Sequence, residues 1–173
     1  MVSSRHGEFA RTFGLLRGLV LEGEVSPAEF SMAVHHSLAG LLSIHRKEHL
    51  TTTAVAAGAD SFAYGLLEAA LILKDSGRPV LFLHFDEPLP DIYGAVANGL
   101  AGSDAAKECV LALLLLPEFG DRMTIERIAG PTIAAVSHEG LAQSSKFLEF
   151  LQSTATMMSV PGTRGSWRWA RAS

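Results

Sequence analysis

The sequence predicts an α/β fold, because helical and extended patterns alternate along a chain that can fill one hydrophobic core. Apolar residues make up 48% of the 173 positions, which is enough for one compact domain over residues 1–173. The segment Val80–Phe85 has the apolar run of a buried strand, between a Gly-Arg-Pro turn and a Pro-rich exit. Segments with helical spacing precede and follow it, so we expect strands that are covered by helices.

The N-terminal part of the chain predicts one short strand followed by helical segments. Met1–Ser4 is a short apolar start that suits the end of a strand, and Glu8–Glu22 spaces its apolar residues at helical intervals. Ser26–Phe30 opens with a Ser cap, a Pro at the first helical position and Glu29 three residues after the Ser, which is a capping box. We expect part of Phe30–Ile44 to be helical.

The remaining elements follow the same alternation. Thr51–Val55 is rich in β-branched residues, and Ser61–Lys74 is a helix whose apolar residues spread widely around it, so we expect both of its sides to be covered. The other predicted elements are a strand at Cys109–Leu116 that ends at Pro117, a short strand at Met123–Ile128, an amphipathic helix at Glu139–Leu151 and an exposed Ala/Gly-rich loop near Ala95–Ala106.

Charge and composition exclude several classes of function. The formal net charge is -4, and the basic residues are scattered, so nucleic-acid binding is not expected. The longest strictly apolar run, Val110–Leu116, is far shorter than the ~20 residues of a membrane-spanning helix, and the first residues lack the apolar core of a signal peptide. The single cysteine, Cys109, cannot form an internal disulfide. We therefore expect a cytoplasmic protein without a membrane span.

The stretch Thr51–Leu73 has the layout of a nucleophile elbow, which is a strand, a tight turn of small residues and a helix. Such a turn presents a reactive side chain, but here its apex reads Ala54, Val55 and Ala56. None of these side chains is a nucleophile. The layout therefore predicts an elbow without a nucleophile.

The sequence contains two pairs of closely spaced histidines, and histidine is a common metal ligand. His45 and His49 are four residues apart and would share one helix face, but the HExxH order is absent and no third ligand is evident. A solvated charged loop is the favoured interpretation. His35 and His36 are adjacent, so they would point to different faces of a helix, one into a core or interface and the other outward. We expect no metal and no cofactor.

Residue types that could act as nucleophiles occur outside the elbow apex. Ser61, His84 and Asp86 are the residue types of a hydrolase triad, but His84 and Asp86 lie two apart on one strand and no G-x-S-x-G motif is present. Asp86 and Glu87 could form a paired-carboxylate site, although a turn cap is favoured because adjacent strand residues point in opposite directions. Cys109 opens an apolar strand, where an inert thiol is expected. Although these observations disfavour it, a small stand-alone hydrolase of acyl thioesters or esters that uses Ser61 or Cys109 is the alternative function.

Three stretches of the sequence resemble one known family. The stretch "TAVAAG" (Thr53–Gly58) is similar to the Thr-Ala-Cys motif with which condensing enzymes begin a buried helix, with Val55 in the place of the Cys. The stretch "SPAEFSMAVHHSLAGLLSI" (Ser26–Ile44) is similar to the family's helix before the elbow, and "SSRHGE" (Ser3–Glu8) to its Gly-rich turn after an inner strand. The chain thus resembles the β-ketoacyl synthases of the thiolase-like fold, in particular the chain-length-factor-like branch associated with bacterial aryl polyene pigment clusters.

The resemblance implies half of a thiolase-like fold, in which a mixed sheet carries helices on its faces. The C-terminal half of that fold is missing, and so is its first strand, which is central in the family's sheet. A missing central strand would leave backbone N–H and C=O groups unpaired, at ~1–3 kcal/mol each. We therefore expect that the start is truncated or misassigned, or that another segment fills the gap.

The resemblance also implies a non-catalytic subunit that pairs with an active β-ketoacyl synthase and shapes the pocket in which an acyl chain grows on an acyl carrier protein. A homodimer is the fallback state, and a functionless truncated remnant is a further alternative. His6 matches the family's pocket-gating position, although Arg5 and His6 also suit a polar pair at a strand end. The resemblance assigns seven positions, four in the acyl pocket and three in the strand at the dimer edge: Arg5, His6, Val55 and Gly58, and Thr51, Thr52 and Thr53.

The C-terminal stretch "GSWRWARAS" allows two interpretations. Its arginines, Arg164, Arg168 and Arg171, would suit an acidic carrier protein, with Trp167 and Trp169 as anchors. Alternatively, the tryptophans pack on the protein's own core.

Overall fold

Two β-sheets with helices between them form the framework of the molecule. The computed structural model describes residues 1–87, 89, 109–132 and 143–172. In chain order, the elements are β1 (Val2–Ser3), α1 (Phe9–Glu22), α2 (Pro27–Met32), α3 (Ser37–Arg46), β2 (Ala54–Val55), a 3-10 turn (Gly58–Asp60), α4 (Ser61–Ser76), β3 (Val80–Asp86), β4 (Cys109–Leu115), β5 (Met123–Thr132), α5 (Gln143–Gln152), β6 (Met157–Gly162) and β7 (Arg164–Arg171). The predicted α/β class is confirmed.

The predicted helices begin and end close to the positions that the sequence indicates. Gly23 ends α1 in the left-handed conformation, with φ 76°. The hydroxyl of Ser26 accepts the backbone N–H of Glu29 at 3.3 Å and so caps α2. The loop expected near Ala95–Ala106 and the first residues of the helix expected at Glu139–Leu151 lie outside the described residues. In the part of the chain that the structure describes, no helix is long and apolar enough to cross a membrane.

The first sheet is mixed and has the strand order β2-β1-β3-β4. β1 pairs in parallel with β2 on one side and with β3 on the other, whereas β3 and β4 are antiparallel. Because β1 is bonded on both sides, no position between the described strands of this sheet is left unpaired. The elbow strand is shorter than expected. It contains Ala54–Val55 alone, so the assignment of Thr51, Thr52 and Thr53 to a strand is corrected to irregular chain that precedes it.

The second sheet has the order β5-β7-β6 with antiparallel pairs, and the sequence pattern predicts only its first strand. β6 and β7 form a hairpin in which Gly162 pairs with Gly165. The missed signal is the alternation of Trp167 and Trp169 with more polar neighbours, which has the period of two residues that is typical of a strand.

Helices α4 and α5 lie between the two sheets. The main core joins both helices to both sheets through twelve buried residues: Phe62, Ala63, Leu66, Ala69, Val80, Phe82, Leu111, Phe147, Phe150, Val160, Trp167 and Trp169. A smaller cluster of Val2, Ala39 and Phe85 holds α3 against the opposite face of the first sheet. The prediction that both sides of α4 are covered is therefore confirmed.

The C-terminal tryptophans belong to this core. Trp167 and Trp169 are each 1% exposed, so their interpretation as anchors for a carrier protein is wrong and the alternative, packing on the protein's own core, is confirmed. Two arginines of the same strand are held by carboxylates of this chain: Arg168 by Glu126 at 3.2 Å, and Arg171 by Asp121 at 2.8 Å.

Helix α4 approaches the first sheet most closely at Gly65. A Cβ atom at this position would lie 2.6 Å from the Cβ of Ser3 and 2.8 Å from the ring of Phe82. Both neighbours belong to the two interior strands of the sheet. The helix can therefore occupy this position only because residue 65 has no side chain.

The buried carboxylate of Asp60 fixes the N-terminal end of α4. Its Oδ1 accepts hydrogen bonds from the side-chain amide of Gln143 at 2.8 Å and from the indole N–H of Trp167 at 3.3 Å, and its Oδ2 accepts the backbone N–H of Thr163 at 2.9 Å. These donors lie on α5, on β7 and between β6 and β7. One carboxylate at a helix N-terminus, where negative charge is favoured, thus connects the elbow to the second sheet.

Gly65→Ala should lower the free energy of unfolding by about 1–3 kcal/mol, because the added methyl group would overlap Ser3 and Phe82. Urea unfolding followed by circular dichroism measures the change. Gly40→Ala in α3 is the matched control. A Cβ atom there meets nothing within 4 Å, so better helix propensity should raise the stability by about 0.5–1 kcal/mol. Equal effects of the two substitutions would contradict the close packing of α4.

Asp60→Ala should lower the free energy of unfolding by about 1–3 kcal/mol for each buried donor left without an acceptor. Trp167 and Trp169 are both buried in the core that Asp60 contacts, so a urea titration followed by intrinsic fluorescence is the measurement. Asp75→Ala, at the exposed C-terminal end of the same helix, is the control and should be neutral or slightly stabilising, because a negative charge is unfavourable there. A small, equal effect at both positions would show that Asp60 does not connect the two sheets.

Candidate functional site

The elbow is present and its apex is aliphatic. β2 leads through the 3-10 turn into α4, so the predicted order of strand, turn and helix is confirmed. Val55 is the last residue of β2, and its carbonyl accepts the backbone N–H of Ser4 at 3.2 Å. Gly58 is exposed and adopts φ +58°, and a Cβ atom there would meet nothing within 4 Å. Alkyl groups at this apex can line a surface, but they cannot form a covalent acyl intermediate.

Ser61 closes the elbow turn. Its hydroxyl donates to the carbonyl of Gly58 at 2.8 Å and accepts the backbone N–H of Ala57 at 2.9 Å. The residue is 1% exposed. The hydroxyl is thus engaged in the local turn and shielded from a substrate, which argues against Ser61 as a nucleophile.

The carboxylate of Asp86, at the end of β3, holds the turn Ser4–Gly7 that follows β1. Its Oδ1 accepts the hydroxyl of Ser4 at 3.0 Å, the backbone N–H of Arg5 at 2.6 Å and the backbone N–H of His6 at 3.3 Å. The same Ser4 hydroxyl accepts the backbone N–H of Gly7 at 2.6 Å. The interpretation of Asp86 as a turn cap is therefore confirmed.

His84 lies between Ser3 and the other oxygen of Asp86. Its Nδ1 is 2.9 Å from the hydroxyl of Ser3, and its Nε2 is 3.4 Å from Oδ2 of Asp86. Burial lowers the pKa of His84 below its ordinary value, while the charge of Asp86 and the contact with Ser3 act in the opposite direction. The imidazole is thus uncharged at neutral pH. The serine that meets His84 is Ser3, so Ser61 does not form the triad that the sequence already disfavoured.

Ser3, His84 and Asp86 are the residue types of a hydrolase triad, but a substrate cannot reach the serine as a hydrolase requires. Ser3 is fully buried at 0% exposure, and its hydroxyl lies 2.7 Å from the position that a Cβ of Gly65 would occupy. Helix α4 therefore covers the hydroxyl. A triad serine must reach a substrate carbonyl, so this group is a structural network.

Cys109 is half-buried at the start of β4, and its sulfur lies 3.4 Å from the hydroxyl of Ser144. A cationic or basic neighbour is one common way to stabilise a reactive thiolate. A serine hydroxyl is neither, so this contact does not activate the thiol.

His45 and His49 do not share a helix face, because α3 ends at Arg46. Both side chains are exposed, which agrees with the favoured interpretation of a solvated charged segment. Among the residues that the structure describes, no group of three or more His, Cys, Asp or Glu side chains is placed to hold a metal ion. His36 is exposed and its Nε2 lies 2.8 Å from the hydroxyl of Thr52.

The turn after β1 presents one permanent cation and one neutral ring. Burial is the largest influence on His6 and lowers its pKa, and the positive charge of Arg5 lowers it further, whereas Asp86 raises it and His35 lowers it by smaller amounts. The ring of His6 packs edge-on against Phe9, with 6.4 Å between ring centroids. At neutral pH the turn therefore carries its positive charge on Arg5 alone.

Three of the four predicted pocket residues lie near one another. Arg5 and His6 are in the turn after β1, and Ser4 of that turn is bonded to the carbonyl of Val55. Gly58 lies further along the elbow, at the start of the 3-10 turn. The parallel strands β1, β2 and β3 all end here, and ligands of α/β sheets bind outside the carboxyl ends of such strands.

A groove of about 620 Å³ runs between α1 and α2. Its lining contains five glutamates (Glu8, Glu22, Glu24, Glu29 and Glu87), together with Arg11 and small or apolar residues. Arg11 is paired with Glu29 at 2.7 Å. Carboxylates do not favour an acyl chain, and Arg5, His6, Val55 and Gly58 do not line this groove. It is therefore distinct from the predicted acyl pocket.

Helix α1 buries none of its residues within the described structure. Leu16, Leu19 and Val20 are exposed on it, Val20 at 82%, and Phe30 of α2 and Ile44 of α3 are exposed as well. Apolar exposure of this extent on neighbouring helices is typical of a surface that another protein covers.

Comparison with known proteins agrees with this geometry. Residues 1–170 match the family model described as beta-ketoacyl synthase, N-terminal domain. The chain is also similar to a chain in the solved structure of the ketosynthase ApeO in complex with its chain length factor ApeC from Xenorhabdus doucetiae. The identity is 33%, the TM-score is 0.79, and the alignment covers 98% of this chain and 68% of that chain. A search of curated proteins found no match. The thiolase-like fold that the resemblance implies is thus confirmed, and the chain belongs to the β-ketoacyl synthase N-terminal domain family.

Proposed function

We propose that the protein is a non-catalytic subunit similar to a chain length factor, which pairs with an active β-ketoacyl synthase in the cytoplasm. The partner supplies the nucleophilic cysteine, and this chain shapes the pocket in which an acyl chain grows on an acyl carrier protein. The pathway is type II fatty acid or polyketide biosynthesis, of the aryl polyene pigment kind. The whole chain, residues 1–173, acts as one domain.

The observation that carries the proposal is the aliphatic elbow. The strand, the turn and the helix are all in place, yet residue 55 is Val. A condensing enzyme needs a thiolate there to accept the acyl chain. A subunit that supplies surface, rather than chemistry, has no such requirement. Of the other nucleophile candidates, Ser61 is buried and engaged, which disfavours the stand-alone hydrolase.

The open edge of the first sheet supports a partner at the elbow. β2 is the edge strand. β1 bonds to the carbonyl groups of Thr53 and Val55, and alternate residues of a strand face opposite neighbours. The residue between them, Ala54, therefore directs its N–H and C=O away from β1. Neither Lys nor Pro, which commonly block pairing at a sheet edge, is present in this strand.

The exposed apolar helices add area to this edge. Contact with water is unfavourable for the exposed side chains of Leu16, Leu19 and Val20 on α1. A partner that covers them would stabilise the complex by burying this apolar area. The similar structure is that of a ketosynthase in complex with its chain length factor. We therefore expect a heterodimer that buries well over ~1,200 Å² in total, with a homodimer as the fallback state.

Ala54→Pro should abolish co-purification with the synthase and leave this chain folded. The substitution removes an N–H that β1 does not use, which is tolerated at a sheet edge, but it removes a donor that a pairing strand needs. Size-exclusion chromatography of the co-expressed proteins is the measurement. Ala54→Ser keeps the N–H and is the matched control, which should pair as the wild type does. A wild type that stays monomeric with the synthase at micromolar concentration would refute the subunit proposal and favour the remnant.

Purified alone, the protein should neither condense nor hydrolyse acyl-carrier thioesters, because Val55 cannot form the acyl-enzyme. Mass spectrometry of the carrier-bound acyl groups measures both reactions. The double variant Ser61→Ala with Cys109→Ala serves as the control for the hydrolase alternative. Turnover by the wild type that the double variant loses would establish that alternative, and turnover that the double variant keeps would contradict both.

A further inference from the structure

We infer that Asp86 is the positioning residue for the pocket wall. By holding the turn Ser4–Gly7, it sets where Arg5 and His6 stand and thereby helps to determine the length of acyl chain that the complex makes. This inference rests on the proposed function, because Arg5 and His6 line an acyl pocket only if that function is right. Asp86 itself is not among the pocket residues that the family resemblance assigns.

One oxygen of Asp86 accepts hydrogen bonds from several donors of the turn. Oδ1 of Asp86 accepts three hydrogen bonds from three consecutive residues, which are Ser4, Arg5 and His6. Through the hydroxyl of Ser4, the same network reaches the backbone N–H of Gly7. Hydrogen bonds to an ionised acceptor are roughly twice as strong as neutral ones. The backbone of the whole turn is therefore organised around a single carboxylate.

The two neighbouring strands β1 and β3 differ in length. β1 has two residues, whereas β3 has seven residues and pairs along its full length with β4. The turn after β1 consequently receives little rigidity from its own strand. Asp86 is the last residue of β3 and transfers the rigidity of that strand to the turn.

The carboxylate is itself oriented from its other side. Oδ2 lies 3.4 Å from Nε2 of His84, which is 4% exposed and contacts the buried hydroxyl of Ser3. The ring of His84 also packs edge-on against Phe62 of α4, with 5.2 Å between centroids. A rigid neighbour therefore holds Asp86 in the rotamer that serves the turn.

Gly7 and His35 limit the turn on the remaining side. Gly7 adopts φ +61°, and a Cβ atom at this residue would lie 3.1 Å from the ring of His35. The turn is thus enclosed between Asp86 and His35. Loss of the Asp86 carboxylate would leave the backbone N–H groups of Arg5 and His6 without their acceptor, while the backbone pairing of β3 with β4 would stay in place. The side chains of Arg5 and His6 would then lose their defined positions.

The experiment uses the complex with the synthase and two readouts. Asp86→Ala should increase hydrogen exchange at the amides of Arg5 and His6 by about tenfold or more, because it removes their acceptor. In the reconstituted reaction, it should also replace one dominant product length by a spread of lengths. Asp86→Asn keeps a neutral, weaker acceptor, so it should move both readouts in the same direction by a smaller amount.

Phe150→Leu is the control for a general loss of stability. Phe150 is fully buried between α5 and the second sheet, and it does not touch the turn network. This variant should lower the unfolding temperature and leave both the exchange of the turn and the product length unchanged. A spread of product lengths in Phe150→Leu equal to that in Asp86→Ala would overturn the inference.

Failure of the inference differs from failure of the proposed function. If the wild-type complex forms and gives a defined product, unchanged exchange or unchanged product length in Asp86→Ala overturns the positioning role. If Asp86→Ala does not fold, the same readouts on Asp86→Asn decide, and unchanged values overturn it. If the wild type does not pair with the synthase, the proposed function falls, and with it the role in product length.

Discussion

The structure depends on the burial of helix α4 between two sheets. Gly65 allows the helix to lie against the interior strands of the first sheet, and Asp60 at its N-terminal end binds donors from α5 and from the β6–β7 hairpin. The hydrophobic residues of α4 then join both sheets in one core. Because the elbow leads directly into this helix, its geometry is a consequence of the core and does not require a nucleophile at Val55.

This separation of scaffold and chemistry explains how an elbow can persist with alkyl groups at its apex. The free energy that maintains the turn comes from burial of α4 and from the hydrogen bonds of Asp60 and Ser61. The same core does not extend to α1, which buries none of its residues in the described structure. The main core thus stabilises one side of the first sheet, whereas the apolar residues of α1 stay exposed outside it.

Two carboxylates, one buried and one partly exposed, have the same role at the two ends of the candidate site. Asp60 holds the elbow from the side of the second sheet, and Asp86 holds the turn after β1 from the end of β3. Each binds groups that are far away in the sequence, from Ser4 to Asp86 and from Asp60 to Trp167. The polar side chains near the elbow thus serve to hold backbone segments in place, and the triad residue types among them are part of that support.

The sequence by itself determined the features that depend on neighbouring residues. The capped start of α2, the apolar spacing of α1 and α4, the strand at Val80–Asp86 and the aliphatic elbow are all visible in local patterns, because periodicity and capping act over a few residues. The family resemblance also correctly indicated the thiolase-like fold. Only the tertiary structure decided that Ser3 rather than Ser61 meets His84, that β1 is bonded on both sides, and that the C-terminal tryptophans fill the core. These outcomes depend on hydrogen bonds and contacts between segments about fifty or more residues apart. The entropic cost of closing a loop grows only slowly with its length, so no local pattern records which partner is chosen.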